Sequence, residues 1–202
     1  MFRLLLFVVI IFNLSGCGYN DIQRSDERIK TTWAEVLNQY QRRAELVPQL
    51  VSVIKGYTNQ ENTVLTSITQ ARSQVQHASS NLNDDLENKE KIDKWNTAQL
   101  NLSHALSQLL IVNERYPELK SQALFQDLLT QLEGTENRIA VARGRYIKAV
   151  ENYNITIREF PVSLTAKAMG YQEKQNYFPD NGASIKQSPV IDFSSISNGH
   201  KA

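Results

Sequence analysis

The stretch IQRSDERIKTTWAEVLNQYQRRAELVPQLVSVI, residues 22–54, decides the fold. Its apolar residues Ile22, Ile29, Trp33, Val36, Tyr40, Ala44, Val47, Val51 and Ile54 recur at steps of three, four or seven, the spacing that gathers side chains on one face of an α-helix. Pro48 lies inside the stretch, where its missing amide and ring clash predict a kink at the preceding turn. Gly56 is read as the stop, with Thr58 or Asn59 capping a second helix that carries Glu61 in its first turn. Because Tyr57, Val64, Ile68, Ala71, Val75 and Ala78 continue the first stripe in phase, one bent helix is the alternative.

Outward from this segment, residues 79–85 (SSNLNDD) are rich in side chains that compete for backbone hydrogen bonds and mark a connection. A third helix follows with Ile92, Trp95, Leu102, Leu106 and Leu109 on its inner face, closed before Pro117, because the residue ahead of a proline avoids helical geometry. The last helix is expected from Leu119 to Phe160, about 60 Å long, with a stripe of Leu128, Leu132, Ile139, Tyr146, Val150, Tyr153, Ile157 and Phe160, ended by Pro161. Residues 21–160 hold only three glycines and two prolines, so nearly the whole body is helical. Short connections make neighbours antiparallel, and the expected class is all-α, an antiparallel four-helix bundle with three helices as the alternative. Beyond it, glycines and prolines break residues 161–202 into an irregular tail in which residues 164–169 form a turn or two.

The N-terminus reads as an export signal. Residues 1–16 carry one cation, Arg3, then the apolar run 4–12, then small residues, and the run is short of the roughly 20 apolar residues a spanning helix needs. Leu14, Ser15, Gly16 and Cys17 resemble the lipobox of bacterial lipoproteins, which implies cleavage before Cys17 and acylation of its thiol. Cys17 is the sole cysteine, so no disulfide can form within the chain. The expected organisation is a signal peptide at 1–16, a lipidated cysteine and short linker at 17–20, the bundle at 21–160 and the tail at 161–202. Loss of Arg3 takes the formal charge from +1 to zero, which removes any electrostatic reason to expect nucleic acid as a partner.

No catalytic constellation is present. His77, His104 and His200 are scattered without ligand spacing, and there is no cysteine pair, His-Glu-x-x-His, phosphate-binding glycine loop or Gly-x-Ser-x-Gly, so neither metal nor cofactor is expected. One pattern departs from a plain bundle. Extending the last stripe through 132, 136, 139, 143, 146 and 150 places Glu136 and Arg143 where apolar residues belong, while Arg43, Glu61 and Arg72 lie beside the stripes of the first two helices. Buried charge needs a partner, so an ionic layer is expected in which Glu136 meets Arg43 or Arg72. In the tail, two apolar islands, Tyr177-Phe178 and Val190-Ile191-Asp192-Phe193, either pack back onto the bundle or remain disordered, or else dock on a partner as extended peptide.

Residues 41–51 (QRRAELVPQLV), 55–57 (KGY), 132–143 (LEGTENRIAVAR) and 145–146 (RY), with 160–161 (FP), 170–171 (GY), 177–178 (YF) and 190–193 (VIDF) in order, resemble the LemA family. The resemblance implies a variant up-and-down four-helix bundle without an established enzyme activity. Relatives are typically held by an N-terminal membrane segment, so a lipobox is a departure. Genes beside membrane metalloproteases in that family suggest an adaptor role. The expectation is a lipoprotein attached to the bilayer through acylated Cys17, at the outer membrane facing the periplasm in a Gram-negative host, binding another envelope protein such as a membrane metalloprotease. An enzyme or accessory acting on peptide or glycan is the alternative, and self-association through an apolar stripe is a third.

Overall fold

The computed structural model describes the backbone of residues 2–57, 62–82, 88–116, 119 and 121–178, with the side chains at 2–17, 57, 110 and 112–114 outside that description. Among the described residues there are five helices and no strand: α1 (Phe2–Tyr57), α2 (Asn62–Leu82), α3 (Lys89–Arg115), α4 (Ala123–Thr156) and the short α5 (Val162–Met169). Residues 22–40 of α1 share a core with 139–153 of α4 and with Ile157 just beyond it, and 44–54 of α1 share another with 125–132, so these two helices run antiparallel along their length. The N-terminal half of α2 meets the C-terminal half of α3 in the same way.

A seven-residue repeat explains the long α1–α4 seam. In α1, Ile22, Ile29, Trp33, Val36, Tyr40, Val47, Leu50 and Ile54 are buried. In α4 the buried residues Phe125, Leu128, Leu132, Thr135, Ile139, Ala142, Tyr146, Ala149 and Tyr153 alternate steps of three and four. That spacing keeps the apolar seam facing a nearly parallel neighbour over many turns. Ile92, Trp95, Leu102, Leu106 and Leu109 of α3 are buried as expected from the sequence. At the far end Leu50, Ile54, Ile68, Leu102, Leu109 and Phe125 form one core. At the near end an aromatic group dominates: Trp33 lies with its ring centroid 5.7 Å from Trp95, 5.1 Å from Tyr146 and 5.7 Å from Phe178. Burying each such side chain contributes roughly 1.5–3 kcal/mol.

Several boundaries differ from the sequence reading. The chain divides near Gly56, since α1 ends at Tyr57 and α2 begins at Asn62; the expected caps Thr58 and Asn59, and Glu61, lie outside the described residues. Residues 17–20 are not a linker but part of α1. Of the expected connection at 79–85, residues 79–82 are instead the last turn of α2, and 83–85 lie outside the described residues. The buried Leu82 draws that turn onto the core, while Ser79 Oγ accepts a hydrogen bond from Trp95 Nε1 at 3.1 Å and Ser80 Oγ donates to the His77 carbonyl at 2.9 Å. The last helix runs from Ala123 to Thr156, about 50 Å, and Phe160 leaves the stripe, being 81% exposed, because the chain turns before a cis Phe160–Pro161 bond. Pro161 therefore precedes α5 instead of closing α4. Gly170, at φ 75°, ends α5 in the left-handed region that glycine enters without strain.

The tail up to residue 178 lies on the bundle. Lys174 donates its backbone N–H to Asn154 Oδ1 at 2.8 Å and accepts from Asn154 Nδ2 at 2.9 Å, so one side chain satisfies both polar groups of an extended residue. Lys174 Nζ also pairs with Asp26 of α1. Burial works against the Asp26 charge, yet the hydrogen bonds and attraction from Lys174 and Lys30 outweigh it and hold that carboxyl below its ordinary value.

Candidate functional site

Arg43 is the polar centre of the bundle. Only 1% exposed, it stands on the α1 seam three residues beyond Tyr40 and four before Val47, where the repeat would place an apolar side chain. Its Nη1 donates to Glu136 Oε1 at 2.8 Å and to Ser103 Oγ at 2.7 Å; its Nη2 donates to Gln99 Oε1 at 2.6 Å and to the Gln99 carbonyl at 3.0 Å. Gln99, 3% exposed, occupies the matching seam position of α3. One guanidinium thus links α1, α3 and α4. The Arg43 Cζ lies 5.0 Å from the Tyr40 ring centroid, which adds a cation–π contact. Burial raises the Tyr40 hydroxyl above its ordinary value, opposed in part by Arg143 and Arg43.

Two residues expected to face inward do not. The buried α4 positions are Thr135 and Ala142, one residue ahead of Glu136 and Arg143. The Glu136 side chain is 45% exposed and reaches in from the rim to Arg43, so the ion pair is a buried cation with a half-exposed anion. Its position explains how the cation is tolerated, since solvent still reaches the carboxylate and lowers the cost of keeping it ionised. Arg143 instead spreads over Phe178, Cζ to ring centroid 4.5 Å. Glu61 lies outside the described residues, as do Val190, Ile191 and Phe193; Leu14, Ser15, Gly16 and Cys17 have helical backbone, but their side chains fall outside the description.

Arg72 answers to a different need. Pro48 has no N–H, so the carbonyl of Ala44, four residues back, loses its intrahelical donor. Arg72 Nε of α2 donates to that carbonyl at 3.1 Å. The proline is accommodated inside α1 by a hydrogen bond from the neighbouring helix, not by a carboxylate partner for Arg72. Arg72→Met is expected to destabilise the bundle by about 1–2 kcal/mol, the cost of a largely buried unsatisfied acceptor. In a Pro48→Ala background the new amide takes the carbonyl and most of that loss should vanish. Equal losses in both backgrounds, measured by urea unfolding, would refute the assignment.

Tyr177 and Phe178 are not displayed for a partner. Phe178 is 2% exposed and packs edge-on to Tyr146 at 5.7 Å, while Tyr177 stacks on Tyr146 at 6.2 Å and accepts a 3.4 Å hydrogen bond from Asn96 Nδ2 at its carbonyl. Burial, with a smaller contribution from Tyr177, raises the Tyr146 hydroxyl far above its ordinary value. The sequence reading missed Gln99, Ser103 and Thr135. The repeat was the available signal, because strict steps of three and four put Arg43 and Gln99 on seams.

Two open grooves lie between α2 and α3, of about 1050 Å³ and 290 Å³; His77 lines the larger and His104 the smaller. Neither is lined by Arg43, Gln99 or Glu136. Among the described residues no group of three or more His, Cys, Asp or Glu side chains could hold a metal ion, and no helix is long and apolar enough to cross a membrane.

A helical bundle seamed by heptads and tied through one buried arginine is the class this geometry defines. The chain belongs to the LemA family, whose model matches residues 32–193. Protein LemA of Metamycoplasma hominis is 24% identical over 172 residues, 83% of this chain and 74% of that protein. Magnetosome protein MamQ 2 of Paramagnetospirillum magneticum is 33% identical over 88 residues, 44% of this chain but only 31% of the relative. Magnetosome protein MamQ of Magnetospirillum gryphiswaldense is 28% identical over a stretch of the same length. The match to these magnetosome proteins thus spans about a third of their length, 31%.

Proposed function

We propose that the protein is a membrane-anchored envelope lipoprotein whose bundle serves as a non-catalytic scaffold or adaptor for another envelope component. The observation that carries this reading is the continuity of α1. One helix runs on from Cys17 and supplies a wall to both cores. Whatever holds its N-terminus positions the entire bundle. In the lipoprotein form the holding force comes from acyl chains on Cys17, each buried methylene contributing about 0.8 kcal/mol. The polar centre supports a structural role, because the terminal nitrogens of Arg43 are committed to side chains and backbone of the bundle itself. The surface left for a partner is the outer face of the helices, and a membrane metalloprotease is the first partner to look for.

Crosslinking in intact cells followed by mass spectrometry tests the reading, with Cys17→Ser as the comparison. The wild-type chain is expected in the membrane fraction, linked to an envelope protein. Cys17→Ser is expected to lose acylation and most of those links. A variant that stays in the membrane with unchanged links would overturn the lipid anchor, and a purified protein that turns over peptide or glycan would overturn the scaffold.

A further inference from the structure

Three large apolar side chains in and just before α5 are uncovered. Phe160 is 81% exposed, Leu164 62% and Met169 59%. Leu164 and the exposed Ala168, four residues apart, share one side of α5, and Phe160 lies in the turn that leads into it. The opposite side is committed to α1. Ala166 is buried, and Gly18 approaches so closely that a Cβ there would lie 3.3 Å from Thr165 Oγ1 and 3.4 Å from Val162 Cα. The height of α5 along the bundle is therefore fixed at Gly18. Cys17, the residue proposed to carry the acyl chains, adjoins Gly18 in the same helix. Tyr19, the residue after Gly18, is 42% exposed, and Lys167 of α5 is exposed. An amphipathic ring and a flexible cation are the side chains that favour the layer between hydrocarbon and water.

We propose that Phe160 and the outer face of α5 form a second membrane contact, seated in the headgroup layer of the bilayer that holds the N-terminus. The inference rests on the membrane attachment proposed above, and it adds a geometry to it. The lipid surface is the occupant because α5 packs on Gly18, the residue next to the cysteine whose acyl chains hold the protein at the bilayer. Each headgroup layer is roughly 5–8 Å thick, comparable to the rise between Cys17 and the first turns of the bundle. A single anchor leaves a rod free to swing, whereas two attachments fix its tilt and the face it offers to a partner. Neither contact need be strong alone, since the anchor raises the local concentration of the other.

The test uses the full chain reconstituted in vesicles of phosphatidylcholine and phosphatidylglycerol, with brominated acyl chains as the quencher. Phe160→Trp reports on the patch. Leu100→Trp is the control, being 61% exposed and next to Gln99 at the level of Arg43, about 38 Å from Gly18 along α1. Trp33 and Trp95 give the same buried background in both. Emission from Phe160→Trp is expected to be quenched at least threefold more than that from Leu100→Trp, in protein that floats with the vesicles. Equal quenching in floating protein would overturn the α5 contact and leave the anchor standing. Protein that fails to float would overturn both. A dimer seen by light scattering that dissociates in the double variant Phe160→Asp, Leu164→Asp would assign the patch to a second copy and overturn the lipid contact.

Discussion

Arg43→Met is expected to lower the stability of the bundle by about 3 kcal/mol or more, because it removes the donor from several buried acceptors at once. Gln99, itself 3% exposed, would keep a side-chain oxygen with no guanidinium to meet it, Ser103 would lose a partner, and Glu136 would face an apolar side chain. Glu136→Leu is expected to cost less, about 1–2 kcal/mol. Solvent already screens the half-exposed carboxylate, and the two remaining partners of Arg43 still satisfy much of its hydrogen bonding. Urea unfolding of both single variants and the double should give a coupling of at least about 1 kcal/mol, the double costing less than the sum. Additive losses would show that the pair acts as two unrelated residues. Stability is the lesser part of what the arginine does. A polar residue on a heptad seam disfavours every alignment of the helices except the one that gives it partners, which fixes register at some cost in stability.

Phe178→Ala is expected to destabilise by about 3 kcal/mol and to lower the melting temperature by about 10 °C, as for a large aromatic removed from a filled core. Phe160→Ala, a change of the same chemistry eighteen residues earlier, should stay within about 0.5 kcal/mol. The contrast follows from 2% against 81% exposure. Loss of the Phe178 ring also removes the surface on which Arg143 lies and the edge that meets Tyr146. Hydrogen exchange should then rise across residues 171–178 as the segment loses its hold on α4 and α1. A Phe178→Ala protein with unchanged melting and exchange would return the segment to the role of a peptide that docks elsewhere.

Much of the framework was legible because helices announce themselves locally. The stripe from Ile22 to Ile54, the run from Ile92 to Leu109 and the seam from Leu128 to Ile157 are statements about spacing, and spacing survives folding unchanged. The Arg43–Glu136 contact was reached from the same reasoning, although by a stripe that was one residue out of phase. Extending it by mixed steps selected Glu136 and Arg143, whereas the helix buries Thr135 and Ala142. A long charged side chain can reach a core from the rim, so adjacency to a stripe and membership of it look alike in sequence. Phe160 was misplaced for a related reason, and the sequence does not choose for Phe178 between packing back and docking on a partner. Phe160 continued a period that the chain abandons when it turns after Thr156, and Phe178 sat in a segment with no period at all.

By itself the sequence determined the helical class, the antiparallel order, the lone cysteine behind an apolar run and the need for an arginine in the body to find a partner. Only the tertiary structure decided which partner each arginine takes. Arg43 takes Glu136, Gln99 and Ser103, Arg72 takes the carbonyl stranded by Pro48, and Arg143 takes the face of Phe178. It also decided that residues 17–20 continue α1 and that α5 closes over Gly18. The division has one physical cause. Helix formation and amphipathic spacing depend on residues within a few turns, whereas the cost of a buried charge or a lost backbone donor is met by whichever group the packing brings within hydrogen-bonding distance, from any point along the chain.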